Sequence, residues 1–164
     1  MKTLKNVSFF VFVFLALGFT SALFAQVPLP SAEDEVIALT YKIWKAEMNK
    51  NMPEMNKYLA DDYTEFNSDF STRVDGKKLN VSLSEAMSMN NGTILSAEML
   101  NPKVQVYGDV AILSYNYAGV NKDTEGKINN SKAKSTRVYV KMKGEWKLVH
   151  ANFALDPNNN QKKT

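Results

Sequence analysis

The C-terminal half of the chain holds four long stretches with strand character, and they constrain the fold more than any other feature. They span residues 93–107, 110–121, 131–143 and 145–154, and turns or short polar loops separate them. The last two meet at Lys143-Gly144, which is typical of a two-residue hairpin turn. Consecutive strands joined in this way predict an antiparallel meander.

Helical patterns precede these strands. Ser31 is followed by acidic residues, an N-cap signal that predicts a helix running to about residue 50. Ile37, Tyr41, Trp44 and Met48 recur at i, i+4, i+7 and i+11, so they form one apolar stripe. The opposite face of this helix is predicted to be polar and carries Glu35, Lys42, Lys45 and Glu47.

Two shorter helices and one early strand complete the pattern. Pro53 fits the first turn of a second helix, and residues 63–67 read as extended. Ser82 and Glu85 match a capping box, which predicts a third helix over about residues 83–91. Helices followed by long antiparallel strands define the α+β class. A mostly antiparallel, strongly curved sheet wrapped over the N-terminal helices would form a cone-shaped barrel with an internal cavity.

The N-terminus has the layout of a secretory signal peptide. Lys2 and Lys5 precede an apolar run over residues 7–19, and small residues follow up to Ala25. The alternative is an uncleaved anchor, but the apolar run is shorter than the roughly 20 residues of a membrane span. We therefore predict a signal peptide over residues 1–25 and a periplasmic or secreted protein with no membrane contact after cleavage.

The remaining chain divides into a linker over residues 26–32, a single domain over 33–155 and a disordered polar tail over 156–164. The full chain has 20 basic and 17 acidic residues, and Lys2 and Lys5 leave with the leader, so the mature charge is near +1. Without a basic stripe the sequence predicts no nucleic-acid partner. It also contains no phosphate loop, serine elbow or dinucleotide fingerprint, so no cofactor is predicted.

Cysteine is absent from the whole sequence. Its absence excludes disulfides, thiol catalysis, thiolate metal sites and a lipid-modified cysteine at the cleavage site. A single histidine cannot supply the three or four ligands of a usual zinc site, so no metal is predicted.

Four segments carry a resemblance to a known family. They are residues 44–52 at the end of the first helix, 58–63, 104–112 and 144–150. Their order and spacing resemble the SnoaL-like branch of the nuclear-transport-factor-2-like superfamily, whose cystatin-like fold also hosts ketosteroid isomerases and polyketide cyclases. The resemblance implies a cone-shaped α+β barrel, an apolar pocket and homodimerisation through the sheet, but it implies no reaction.

The last strand departs from the pattern of many such relatives, which reads Trp-Lys-hydrophobic-Val-His-x-His-x-Ser. Trp146, Leu148 and His150 agree with it, whereas Asn152 and Ala154 replace the second histidine and the serine. Strict alternation along a strand would place all five side chains on one face. The two replacements argue against the acid–base chemistry of those relatives.

Two residues are candidate catalytic bases. His150 has a pKa suited to base catalysis near neutral pH, although a lone strand histidine is more often structural. Glu65 shares a strand face with Tyr63 and Asn67; facing inward it would be a carboxylate in an apolar cavity. Facing outward, with Thr64 inside, it would be an ordinary surface carboxylate, which is the commoner arrangement.

Several other side chains are candidates for ligand binding. Tyr41 and Trp44 lie on the helix stripe and offer polar groups to a ligand, or they belong to the core. Arg137 could bind a carboxylate through two hydrogen bonds, or form an ion pair across the sheet. The remaining candidates are Tyr63, Tyr139, Trp146 and Asn152.

Three hypotheses about function follow. The first is an exported domain that binds a small apolar or amphipathic molecule in its cone and dimerises through its sheet. The second is a cofactor-free isomerase, cyclase or hydratase with His150 or Glu65 as base and Tyr41 or Tyr139 as donor to an oxyanion. The third is a non-catalytic interaction module with a filled pocket.

Overall fold

The computed structural model describes residues 29–90 and 92–156, without the side chains of residues 88–90. The predicted signal peptide, the first residues of the predicted linker and most of the predicted tail lie outside the described residues. Within the described part, no helix is both long enough and apolar enough to cross a membrane.

Three helices and six strands make up the described chain. In chain order they are α1 (Ala32–Met48), α2 (Met52–Asn56), β1 (Leu59–Phe66), β2 (Val74–Asp75), α3 (Lys77–Asn90), β3 (Thr93–Tyr107), β4 (Val110–Lys122), β5 (Ile128–Met142) and β6 (Glu145–Leu155). One six-stranded sheet has the order β2-β1-β6-β5-β4-β3. All neighbours are antiparallel except β1 and β6, which run parallel. The predicted α+β class with a mostly antiparallel sheet is confirmed.

Local sequence explains where α1 begins, but it misplaced the start of α3. The Ser31 hydroxyl accepts from the Asp34 backbone N–H, and the Asp34 carboxylate accepts from the Ser31 N–H, so the N-cap is as predicted. The prediction that a helix starts at Ser82 is wrong, because α3 already begins at Lys77 after the turn at Gly76. Ser82 lies inside that helix and donates to the carbonyl of Lys78.

The sheet curls around α1. Edge strand β3 shifts register between Ile94 and Ser96 and again between Leu100 and Lys103, and such irregularities bend a sheet. The concave face packs against the helix through a continuous core. Its largest fully buried side chains are Val36, Thr40, Leu113, Tyr139 and Leu148. The curled sheet therefore leaves an interior beside α1 rather than a flat two-layer stack.

A β-bulge in β6 determines which side chains face this interior. Lys143 and Gly144 have φ values of 52° and 84°, so the two-residue hairpin turn is present as predicted. Further along, Tyr139 pairs with Leu148 whereas Val138 pairs with His150, which leaves Val149 as an extra residue. Facing residues share one side of a sheet, so the bulge reverses every side chain beyond it.

The predicted single face for alternate residues of β6 is therefore wrong beyond Leu148. Ala151 and Phe153 face the concave side with Arg137, while His150 and Asn152 face the convex side with Val138. Ala151 is fully buried and Asn152 is exposed, in agreement with this register.

Two substitutions test the bulge. Ala151→Glu is expected to destabilise the domain by about 2 kcal/mol, because a much larger side chain does not fit at this fully buried position, even opposite Arg137. Asn152→Glu is the matched control and is expected to change stability by less than about 0.5 kcal/mol. Urea unfolding followed by circular dichroism measures both. Strict alternation predicts the reverse ranking, so a mild Ala151→Glu beside a severe Asn152→Glu would contradict the bulge.

Candidate functional site

A cavity of about 650 Å³ lies between the helices and the concave face of the sheet. This volume is within the usual range of ligand sites. Its apolar wall includes Ile43, Trp44, Met52, Met55, Leu148 and Phe153. Its polar wall includes Glu47, Glu65, Asn80, Tyr115, Tyr117 and Arg137. The site is therefore amphipathic, with charged groups inside a largely apolar enclosure.

Glu65 takes the inward of the two arrangements considered from sequence. It pairs with the buried Ala151 of β6 and is only 8% exposed. Its carboxylate accepts hydrogen bonds from the Tyr63 hydroxyl at 2.6 Å, the Asn67 amide at 3.0 Å and the Asn80 amide at 3.2 Å. Burial, and next the neighbouring charge of Glu65, raise the pKa of Tyr63, which keeps this donor protonated.

Arg137 is a buried cation on the concave face of β5. It is 4% exposed, and its Nε donates to the Tyr115 hydroxyl at 2.9 Å. Its guanidinium carbon lies 5.2 Å from the centroid of the Phe153 ring. It forms no ion pair with any residue in the described part of the chain. The alternative of a surface ion pair across the sheet is thus not what the structure shows.

Glu47, in the last turn of α1, is a cavity residue that the sequence analysis misplaced on the polar face. Its side chain keeps accessible surface because it projects into the cavity, although protein surrounds it. Desolvation raises the pKa of its carboxyl; the charge of Arg137 opposes that shift and the charge of Glu65 adds to it. It makes no hydrogen bond or ion pair with a described residue.

A helical signal for this position was present in the sequence. The buried residues Val36, Thr40 and Ile43 lead at i+11 to Glu47, so the glutamate continues the buried stripe. The stripe drawn through Tyr41 was centred too far to one side, since Tyr41 is 44% exposed. Glu47 was predicted to lie on the polar face of α1 only because it is charged, and this prediction is wrong because the side chain faces the cavity.

Trp44 and Tyr139 occupy different layers of the interior. Trp44 borders the cavity, with its ring edge-on to those of Tyr115 and Tyr117 at centroid distances of 5.5 Å. Tyr139 lies deeper, fully buried, and its hydroxyl is 2.7 Å from Thr40 Oγ1. Tyr139 is therefore part of the core and does not border the cavity.

Three other predicted site residues lie away from the cavity. His150 Nδ1 is 2.8 Å from the Thr64 hydroxyl on the convex face. Asn152 is exposed on that same face. The Trp146 indole donates to Glu35 at 2.8 Å near the other end of α1.

Of the predicted site residues, the cavity brings together Trp44, Tyr63, Glu65 and Arg137. The functional roles themselves stay predictions.

Among the described residues, no group of three or more His, Asp or Glu side chains is placed to hold a metal ion. The groups in the cavity can instead hold a polar ligand, because a guanidinium, carboxylates and several hydroxyls lie beside an apolar wall. Such an arrangement suits recognition of a small amphipathic molecule.

A curved six-stranded sheet closed by an N-terminal helix around an internal cavity defines the nuclear-transport-factor-2-like class of protein. The family model of the calcium/calmodulin dependent protein kinase II association domain matches residues 32–154, and the chain belongs to this family. The superfamily predicted from sequence is thereby confirmed, while its SnoaL-like branch is not specifically supported. A comparison with curated proteins gives no match.

Solved structures agree with this assignment. An association domain from Xanthomonas campestris has 19% sequence identity, with 81% of this chain and 94% of that chain covered and a TM-score of 0.69. The hub homology domain of Chlamydomonas reinhardtii has 24% identity, coverage of 77% and 99%, and a TM-score of 0.66. A nuclear-transport-factor-2-like protein from Cytophaga hutchinsonii has 15% identity, coverage of 77% and 100%, and a TM-score of 0.66. At these identities the likenesses show the fold alone.

Glu47→Gln tests the desolvation of this carboxyl. A raised pKa means that the folded state holds the proton more tightly than the unfolded chain, so its stabilising contribution is present at low pH. That contribution is lost as pH rises through the folded pKa. We expect Glu47→Gln to match the wild type in urea at about pH 4 and to be more stable than it at about pH 8.

Glu98→Gln, at an exposed position on β3, is the control and is expected to show no such pH-dependent difference. If Glu47→Gln and the wild type kept a constant difference in urea midpoint between these two pH values, Glu47 would not be desolvated as the structure indicates.

Proposed function

We propose that this domain binds a small amphipathic molecule in its cavity and that an acidic group of the ligand contacts Arg137. The observation that supports this proposal most is the position of Arg137, a buried guanidinium without an ion-pair partner at the cavity wall. Burial of an unpaired charge costs several kcal/mol in general, and a bound oxyanion would offset that cost. Arginine also binds carboxylates through two parallel hydrogen bonds.

The rest of the cavity fits the apolar part of such a ligand. Trp44, Met52, Met55 and Phe153 border the space beside Arg137. Methionine side chains adapt to the shape of a bound group, and the aromatic rings add area. A molecule with one acidic end and a compact apolar body would satisfy both walls at once.

The alternative of a cofactor-free isomerase, cyclase or hydratase has less support. His150 lies on the convex face, away from the cavity. Glu65 faces the cavity, but its carboxylate already accepts hydrogen bonds from three side chains, so it is engaged with the protein rather than open to a substrate. Binding therefore agrees better with the geometry than catalysis by these two residues.

We also propose that the protein is exported, with residues 1–25 removed, and acts in the periplasm or outside the cell. The proposal rests on the order of charged, apolar and small residues in the leader.

Native mass spectrometry of protein purified from its own host tests binding and export together. The wild type is expected to have a mass that begins at Gln26 and to carry a small acidic molecule that mild activation releases. Arg137→Gln purified in the same way is expected to be empty, because it loses the cationic contact. Arg73→Gln changes the only other arginine, which is exposed and paired with Asp75, and is expected to behave like the wild type.

Thermal unfolding of both variants shows whether they are folded before their occupancy is compared. A folded Arg137→Gln protein carrying the same molecule at wild-type occupancy would refute the role of Arg137. A wild-type mass that includes residues 1–25 would refute removal of the leader.

Self-association through the sheet is a second candidate function. The convex face of β4 and β5 has a half-buried apolar centre where Val110 pairs with Val140 and Ile112 pairs with Val138. On the neighbouring edge strand Tyr107 is 61% exposed and faces the same side as Val110. We call these five residues the convex patch. Contiguous exposed apolar surface marks interaction sites, and the family is an association-domain family.

Size-exclusion chromatography with light scattering tests this second function. The wild type is expected to be larger than a monomer, and Ile112→Glu is expected to be monomeric because it places a charge at the centre of the convex patch. Leu79→Glu replaces an exposed leucine of α3 and is the matched control. A wild-type monomer at micromolar concentration, or an Ile112→Glu oligomer of wild-type size, would contradict association through the sheet.

A further inference from the structure

Glu47 has no role in the ligand contacts proposed so far. It borders the same cavity as Arg137, yet it interacts with none of the described side chains through a hydrogen bond or an ion pair. Carboxylates that protein surrounds are usually paired, so an unpaired one inside a cavity calls for an explanation.

The two glutamates of the cavity differ in the hydrogen bonds that their carboxylates accept. Glu65 accepts three hydrogen bonds from Tyr63, Asn67 and Asn80. Glu47 accepts none from a described residue. Hydrogen-bonding capacity is therefore used at Glu65 and left open at Glu47, so of these two glutamates Glu47 is the one available to a ligand.

The charged groups around Glu47 leave it without a partner. Arg137 on β5 attracts it and Glu65 on β1 repels it. Arg137 nevertheless forms no ion pair with Glu47, and its Nε donates to the Tyr115 hydroxyl. The exposed Lys50 and Lys122 also border the cavity, and neither forms an ion pair with Glu47.

We infer that Glu47 binds a cationic amino group of the ligand, so that the molecule held in this cavity is a small zwitterion. This inference rests on the proposed function, because Arg137 supplies the contact for the acidic end. The guanidinium and the free carboxylate are separate and open to one cavity, which is the arrangement that an acid group and an amino group on one molecule require.

Charge balance favours an amino group over a neutral donor. A zwitterion leaves the net charge of the cavity unchanged, whereas an acid without an amino group adds one more negative charge near Glu47 and Glu65. Desolvation already disfavours the ionised form of Glu47 and raises its pKa. A ligand cation beside it would offset that cost, whereas a hydroxyl would supply one hydrogen bond and no charge.

Isothermal titration calorimetry of the mature protein with two matched series of probes tests the inference. The first series is phenylalanine, 3-phenyllactate and 3-phenylpropanoate, which differ only in an amino group, a hydroxyl or a hydrogen. The second is 5-aminopentanoate, 5-hydroxypentanoate and pentanoate, with a longer separation between the two ends. Wild type, Glu47→Gln and Arg137→Lys are titrated with each probe, and circular dichroism confirms that the variants are folded.

In at least one series the amino acid is expected to bind wild type about tenfold more tightly than its hydroxyl and unsubstituted partners, as a charge-assisted contact predicts. Glu47→Gln is expected to remove this preference while the affinity for the unsubstituted acid stays within about twofold. Arg137→Lys is expected to weaken every acid in the series that binds, because lysine lacks the planar two-donor geometry.

Two failures are distinguishable. Acids that bind through Arg137 without any preference for the amino group, or with a preference that Glu47→Gln retains, would overturn the zwitterion inference and leave the proposed function standing. If no probe of either series bound wild type, the inference and the proposed acid contact at Arg137 would both be overturned.

Discussion

The contact between α1 and the concave face of the sheet is the constraint on which the rest of the structure depends. Val36 and Thr40 on the helix are fully buried, and so are Leu113 and Tyr139 on the central strands. Thr40 shares its hydroxyl between the carbonyl of Val36 and the hydroxyl of Tyr139, so even the polar groups at this contact are satisfied. The cavity begins where this well-packed layer ends, at Ile43.

Helix α1 therefore contacts the hydrophobic core along one part of its length and the cavity along another. Its middle turns pack against the core through Val36 and Thr40, and its last turn presents Glu47 to the cavity. The β-bulge at Val149 has a similar effect on the sheet. It keeps Leu148 in the core, moves His150 to the convex face and lets Ala151 and Phe153 face inward beyond it. Side-chain direction at the site is set by such local breaks in periodicity.

The sequence predicted the parts of the fold that depend on local signals. The Ser31 cap, the Lys143-Gly144 turn and most limits of the long strands come from short-range chemistry, and the structure agrees with them, except that β5 begins at Ile128 and not at residue 131. The bulge at Val149 could not be predicted, because nothing in the residues of β6 marks an extra residue; only its pairing with β5 reveals it. The start of α3 was missed for a related reason, since Gly76 was assigned only to a turn.

The sequence predicted which residue types form the site, but it did not predict in which direction each side chain points. Arg137 and Glu65 were predicted as site residues because they are charged residues in strands, and both face the cavity. Glu47 was assigned to solvent because charge is a good guide to exposure on most helices. The helical period alone gave the opposite face, so the two rules conflicted at this residue. Residue type and helical period are expected to disagree at functional sites, because function there lowers the stability of the fold. A buried charged group without a partner reduces stability, so it is kept only where it serves a function. Arg137 is a residue of this kind, and Glu47, which keeps accessible surface although protein surrounds it, borders the same cavity.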